Sequence, residues 1–301
     1  MKRTLYLFFL ITFISFGQKK ITLPQKHTVD FQYPSISDGP YVFIEEDHLL
    51  RKSIKNGVVS SERLEKDNFN TEYFPNPAIF NNINKIAALS DIHGQYDLLI
   101  ELLKNNKIID EDLKWTFGDG HFVIVGDVFD RGDKVNEVLW FLYDLEIQAK
   151  KKGGYVHFLL GNHEYMILQN DLRYIHTKYH KTPFLLGIEY KELYGKNTVI
   201  GRWLRSKSTI IKINDIMFTH GGISKEFFSS VDFDLEKINR DMRESIDLSI
   251  DEMVSNNFYN IYFGEKSLTW YRGYYYHDIT DKQLNKLLDK IEAKRIVVGH
   301  S

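Results

Sequence analysis

Phe122-Val123-Ile124-Val125-Gly126-Asp127-Val128-Phe129-Asp130-Arg131-Gly132 carries the plainest architectural signal in the chain. Its uninterrupted apolar run, stopped by a glycine, reads as a buried strand, and the strand runs straight into an acidic turn. Four further stretches repeat the design. Ile86-Ala87-Ala88-Leu89-Ser90 runs into Asp91-Ile92-His93-Gly94, and Val156-His157-Phe158-Leu159-Leu160-Gly161 into Asn162-His163-Glu164. Ile216-Met217-Phe218-Thr219 meets His220-Gly221-Gly222, and Arg295-Ile296-Val297-Val298-Gly299 meets His300. Open α/β sheets bind ligands beyond the carboxyl ends of their strands. One edge of one sheet is therefore expected to collect two Asp, one Asn and three or four His, which is the make-up of a metal centre.

Working outward, Asp97–Asn105 and Lys134–Lys150 carry apolar residues at helical spacing, so residues 86–160 read as two βαβ units. Residues 164–208 read as a helical insertion, Phe227–Asn257 as helix-prone and acidic, and Thr280–Glu292 as the last helix. Before the sheet, residues 18–85 form an N-terminal extension. There, Tyr41–Ile44 and Val58–Val59, with Lys55-Asn56-Gly57 between them, suggest a hairpin or edge pair. His157 reads as a core residue within its strand, whereas His121 lacks a strand-end context and reads as exposed.

At 301 residues, with no Pro/Gly/Ser-rich linker, the chain fits a single catalytic domain. The formal charge of −2, with 39 basic against 41 acidic side chains, argues against general electrostatic binding to nucleic acid. Lys2 and Arg3 precede an uncharged apolar run from Leu5 to Phe16, closed by Ser15-Phe16-Gly17. This is the layout of a secretory signal peptide over residues 1–17, so the expected location is periplasmic or secreted. The run is short for a membrane span, and the mature chain is expected to have none. Without Cys, the chain has neither a disulfide nor a lipoprotein attachment site. A buried strand that stops at a candidate ligand leads us to expect further strands beyond Ser301, the chain being truncated at its C-terminus.

Asp91 and His93, two apart beyond a strand end, can reach one ion from the same side. Asp127 can bridge two ions through its two oxygens, and Asn162, His220 and His300 have the right types for the second. Oxygen and nitrogen ligands without sulfur suit Mn, Fe or Zn. Two divalent ions about 3.5–4 Å apart can hold a hydroxide for in-line attack on a phosphoester. His163, next to ligand Asn162, is the natural general acid for the leaving group, with Asp130 to orient it. Arg131 and Arg272 can hold phosphate oxygens bidentately.

Asp-Ile-His-Gly, Gly-Asp-Val-Phe-Asp-Arg-Gly, Gly-Asn-His-Glu, His-Gly-Gly and a late Gly-His, in this order, resemble the calcineurin-like metallophosphoesterases over residues 86–301. Asp-Arg-Gly and Gly-Asn-His-Glu narrow the resemblance to the phosphoprotein phosphatase branch. Leu-Gly-Asn-His-Glu, Trp-Tyr-Arg-Gly and Val-Val-Gly-His-Ser make it most like the bacterial Shewanella-like phosphatases. The resemblance implies an α/β fold: a central β-sandwich flanked by helices, with two metals at the strand C-terminal ends. It implies Asp91, His93 and Asp127 on one metal, and Asp127, Asn162, His220 and His300 on the other. His163 is then the acid, assisted by Asp130, with Arg131 and Arg272 on the phosphate. Leu160 stands where eukaryotic members have Arg, and the family continues past the last Gly-His. The implied function is a metallophosphatase acting on a phosphorylated protein, peptide or small phosphomonoester, with Ser/Thr and Tyr both open. The alternatives are a dinucleoside polyphosphate or phosphodiester hydrolase, or an inactive metal-binding relative.

Overall fold

The structure, a computed structural model, describes residues 35–300; the segment read as a signal peptide lies outside the described residues. The described chain opens with an antiparallel meander of β1 (Asp38–Ile44), β2 (Leu49–Lys55) and β3 (Val58–Leu64). Asn56 and Gly57, with φ of 50° and 76°, form the two-residue turn between β2 and β3. Positive φ at both central positions is what a tight hairpin matching strand twist requires. The expected pairing of Tyr41–Ile44 with Val58–Val59 is corrected: β2 lies between them and pairs with both strands. Only Leu49 and Ile54 of β2 are buried, five residues apart, so the strand shows no two-residue period in sequence.

Two mixed layers follow. Strand β4 (Ile79–Phe80) precedes β5 (Ile86–Leu89), α1 (Tyr96–Asn105), β6 (His121–Ile124), α2 (Val135–Lys151) and β7 (Tyr155–Phe158). β5, β6 and β7 pair in parallel, and α1 and α2 are the crossovers that parallel strands demand. Helix α2 buries Val135, Val138, Leu139, Leu142, Leu145 and Ala149 at three- and four-residue spacing, which presents one apolar stripe to the core. Then come α3 (Asn162–Leu168), α4 (Thr177–Leu186), α5 (Tyr190–Leu193) and α6 (Val199–Leu204). The hairpin β8 (Ile210–Ile213) and β9 (Ile216–Thr219) is followed by α7 (Lys225–Ser230), α8 (Leu235–Ser245), α9 (Ile250–Ser255) and α10 (Phe258–Tyr262). Helix α11 (Asp281–Lys290) leads to β10 (Arg295–Val297).

The five apolar runs do not share one sheet. Three form β5-β6-β7, and two join a second sheet of order β10-β9-β8-β4. The sheets face each other through one buried cluster, Val123, Val125, Leu159, Ile211, Ile213 and Phe218, with Phe80, Ile86 and Val297 packed on it. A strand buried on both faces reads as a continuous apolar run whichever sheet it joins, so the sequence pattern marks each strand without naming its partner. The chain beyond β7 bridges to the lead-in of β8 at Leu159 and Ser208. Across the far ends, His220 Nδ1, beyond β9, lies 2.7 Å from Val125 O beyond β6, and the His300 amide, beyond β10, donates to Asp91 Oδ2 beyond β5 at 3.1 Å. The carboxyl ends of both sheets therefore meet at one rim. Among the described residues, no helix is long and apolar enough to cross a membrane.

Candidate metal centre

The rim loops are held in unusual backbone geometry. Asp91, His93, Asp127, Asp130, Arg131 and His300 all have φ between 45° and 69°. Left-handed conformation costs a non-glycine residue energy and concentrates at functional sites. Glu164 offsets that cost. It sits fully buried in the first turn of α3, and its carboxylate accepts the amides of Asp127 (2.8 Å), Gly161 (2.7 Å), Val128 (2.7 Å) and Phe129 (3.2 Å). Burial, then the Asp127 charge, push Glu164 up to about 7, while the amides of Asp127 and Gly161 oppose that rise. One carboxylate thus fixes the turn after β6 to the start of α3.

Asp127 lies at the centre, 1% exposed. Its Oδ2 is 3.1 Å from His220 Nε2, 3.7 Å from His93 Nε2 and 3.8 Å from His163 Nε2. Burial opposes its ionisation, but His220, His163 and His93 outweigh burial and hold its pKa at about 2. Two clusters share it. One is His93, Asp127 and His163; the other is Asp127, His220 and His300, with ligand atoms in each within 4.8 Å of one another.

The imidazoles are oriented from behind. His93 Nδ1 lies 2.6 Å from Phe129 O and His220 Nδ1 2.7 Å from Val125 O, so each Nδ1–H donates to a carbonyl and each Nε2 faces Asp127. A backbone partner on the far nitrogen is the usual way a ligating histidine is fixed. His93 Nε2, Asn162 Oδ1 and His300 Nε2 are buried without a hydrogen-bond partner. Buried polar atoms are rarely left unpaired without a reason, and a cation would satisfy all three. Burial lowers the pKa of His93 and takes that of His300 to about 3, which keeps both in the neutral form that ligates. The residues fit a metal centre.

Asp91 stands at the edge of the cluster. Its Oδ1 is 4.0 Å from His93 Nε2, and its Oδ2 accepts the His300 amide at 3.1 Å. Asn162, at the first position of α3, is buried next to Gly161, whose missing side chain leaves room for the Asp127 carboxylate and the His220 ring. His163 Nδ1 pairs with Asp130 Oδ2 at 2.5 Å, both groups buried. Burial disfavours charge on His163, but the Asp130 hydrogen bond together with the Asp127 and Asp130 charges outweighs it and raises the pKa above the ordinary value. Arg272 reaches the rim through Nε, which donates to His300 O at 3.0 Å. Arg131 is exposed and lines an open groove of about 490 Å³ with Gly94, Tyr96 and Lys134. All ten sequence-chosen residues thus gather at or beside one rim.

Glu164 was part of the quoted motif but had no role in the sequence reading. Its signal was present: Gly161 at the cap and Glu164 three residues on are the spacing of a capping box. His121, read as exposed, is 2% exposed, and its Nδ1 is 2.9 Å from His157 Nε2 at the other end of the sheet.

Carboxylates, imidazoles, an amide and guanidinium groups at the joined ends of two sheets define a class of phosphoester-cleaving metal site. The calcineurin-like phosphoesterase family matches residues 84–301. The chain is 29% identical over 260 residues to Shewanella-like protein phosphatase 1 of Plasmodium berghei, covering 82% of this chain and 68% of that relative. It is 26% identical over 270 residues to Shewanella-like protein phosphatase 2 of Arabidopsis thaliana, covering 74% and 67%. Among solved structures it resembles a cold-active protein-tyrosine phosphatase of a psychrophilic Shewanella species, with 42% identity and a TM-score of 0.84 over 89% of this chain and 85% of that one. The chain belongs to the calcineurin-like phosphoesterases and, within them, to the Shewanella-like protein phosphatases; it is a metallophosphatase.

Proposed function

We propose that this metallophosphatase removes phosphate from phosphotyrosine in proteins or peptides, with two divalent ions held around Asp127. The observation that carries the reading is one buried carboxylate shared by two ligand clusters, with an Asp–His pair beside it. Asp91, His93 and Asp127 would hold one ion, and Asp127, Asn162, His220 and His300 the other. His163 is set apart as the acid by its partner: its Nδ1 meets the Asp130 carboxylate at 2.5 Å, whereas His93 and His220 turn Nδ1 to backbone carbonyls. The donor set suits Mn, Fe or Zn. Such ions supply positive charge against the phosphoryl oxygens and make a water acidic enough to attack near neutral pH.

The chain's own groups supply the rest. Arg131 and Arg272 bind and orient the phosphate and spread its charge. His163 carries a proton on Nε2, held in place by Asp130 through Nδ1. As the bond from phosphorus to the leaving oxygen breaks, that proton passes to the leaving oxygen. The phosphotyrosine assignment rests on the 42% identity to the cold-active protein-tyrosine phosphatase. The site of action is the periplasm or the exterior, on the charge and apolar layout of residues 2–17. N-terminal sequencing of envelope-fraction protein is expected to start near residue 18, and a chain that still starts at Met1 would contradict export.

Metal-loaded protein is to be assayed on p-nitrophenyl phosphate, its bis-ester and a phosphotyrosine peptide. Hydrolysis of the monoester and the peptide is expected. Preference for the diester would move the chain to phosphodiester chemistry, and a folded, metal-bound protein without turnover would make it a binding relative.

A further inference from the structure

Tyr174 lies in the loop joining α3 to α4 and is 47% exposed. Its ring centroid is 5.4 Å from the His163 ring, tilted at 56°. His93 packs on the same imidazole from the buried side, at 4.8 Å. Tyr174 therefore supplies the aromatic surface on the solvent side of the proposed acid. Its place is fixed twice. Its carbonyl accepts the Arg131 amide at 2.9 Å, which ties the loop to the Asp-Arg-Gly turn. The Arg173 guanidinium sits 5.6 Å from the ring centroid, held by Asp171 through Nε at 2.9 Å and Nη2 at 2.7 Å.

Leaving-group geometry gives this position a meaning. The oxygen that receives the His163 proton must come within hydrogen-bond reach of Nε2. In phosphotyrosine that oxygen is bonded directly to an aromatic ring, so the ring must lie within a few ångströms of the acid, on its open side. Aromatic pairs attract at centroid separations of about 4.5–7 Å. In phosphoserine the same oxygen carries a single methylene, which offers no ring to such a face.

Resting on the phosphatase reading above, we propose that Tyr174 is a specificity-determining residue: its ring is the wall against which the leaving ring of phosphotyrosine packs. No covalent step is added. The contact orients the leaving oxygen toward His163 and favours aryl over alkyl monoesters.

The test compares Tyr174→Ala, Tyr174→Leu and Tyr174→Phe with the parent on two peptides of one sequence, bearing phosphotyrosine or phosphoserine. Tyr174→Ala and Tyr174→Leu should lower kcat/KM on the phosphotyrosine peptide about three- to tenfold. The phosphoserine value should move less than about twofold, since no aromatic contact is lost there. Tyr174→Phe should restore the parent ratio. Equal losses on both peptides, or no loss on either, would overturn the role of Tyr174 while leaving the phosphatase reading intact. A parent enzyme that cleaves neither peptide would overturn both. Melting temperatures of the three variants separate a contact effect from unfolding, and Tyr174→Leu retains apolar bulk without a π face.

Discussion

His163 is where chemistry and packing can be told apart at the level of one side chain. It touches Asp130 at 2.5 Å and stands 3.8 Å from Asp127. His163→Ala should leave the metals bound and slow the chemical step by about 10²–10⁴-fold, the usual contribution of general acid catalysis. The loss should be far greater on an alkyl phosphate, whose alkoxide needs the proton, than on p-nitrophenyl phosphate. Equal losses, or a missing metal, would make His163 a ligand or a positioning group. Glu164 acts on the backbone instead, since its carboxylate accepts four amides. Glu164→Ala leaves those amides buried and unpaired, which should cost roughly 3–5 kcal/mol in urea unfolding and loosen Asp127. A cost below about 1 kcal/mol would show that water replaces the carboxylate easily. The candidate ligands stand out in the sequence because all but His93 directly follow the small residue that ends an apolar run. Tyr174 does not, since its importance comes from a loop folding back on the Asp-Arg-Gly turn, and no local pattern encodes that approach.

At the level of elements, local periodicity carried α1 and α2, whose buried positions recur every three or four residues, and α11, which buries Leu287. It failed for β2, where only Leu49 and Ile54 are buried, and for His121, buried by a neighbouring strand. The His121–His157 pair between β6 and β7, packed on Phe80 of β4, has a measurable consequence. Burial, then the nearby His121, lowers His157 to about 3 from its ordinary 6.5. Between those values the unfolded chain binds a proton that the folded chain refuses. Stability therefore rises with pH across the window and falls on acidification, by up to about 1.4 kcal/mol per pH unit. Urea unfolding in chelator from pH 7 to pH 4 should show a steeper loss for the parent than for His157→Leu. Parallel profiles would mean that the imidazole is charged in the folded state or already protonated at no cost.

At the scale of the whole molecule, the sequence pattern was sufficient to place a metal centre at strand ends but not to assign the strands to sheets. Five buried runs were compatible with one sheet, and the fold instead closes three against two across a shared apolar layer. The candidate ligands still come together because the carboxyl ends of both sheets meet at the same rim, with Asp127 between His93 and His220. The whole centre turns on that one carboxylate. The most direct test is Asp127→Asn, purified beside the parent without added metal, with metal content and p-nitrophenyl phosphate turnover measured on the same samples. The parent should hold two ions per chain, and the variant should lose metal from both positions together with its activity. A variant that keeps two ions and near-normal turnover would contradict the shared-carboxylate centre.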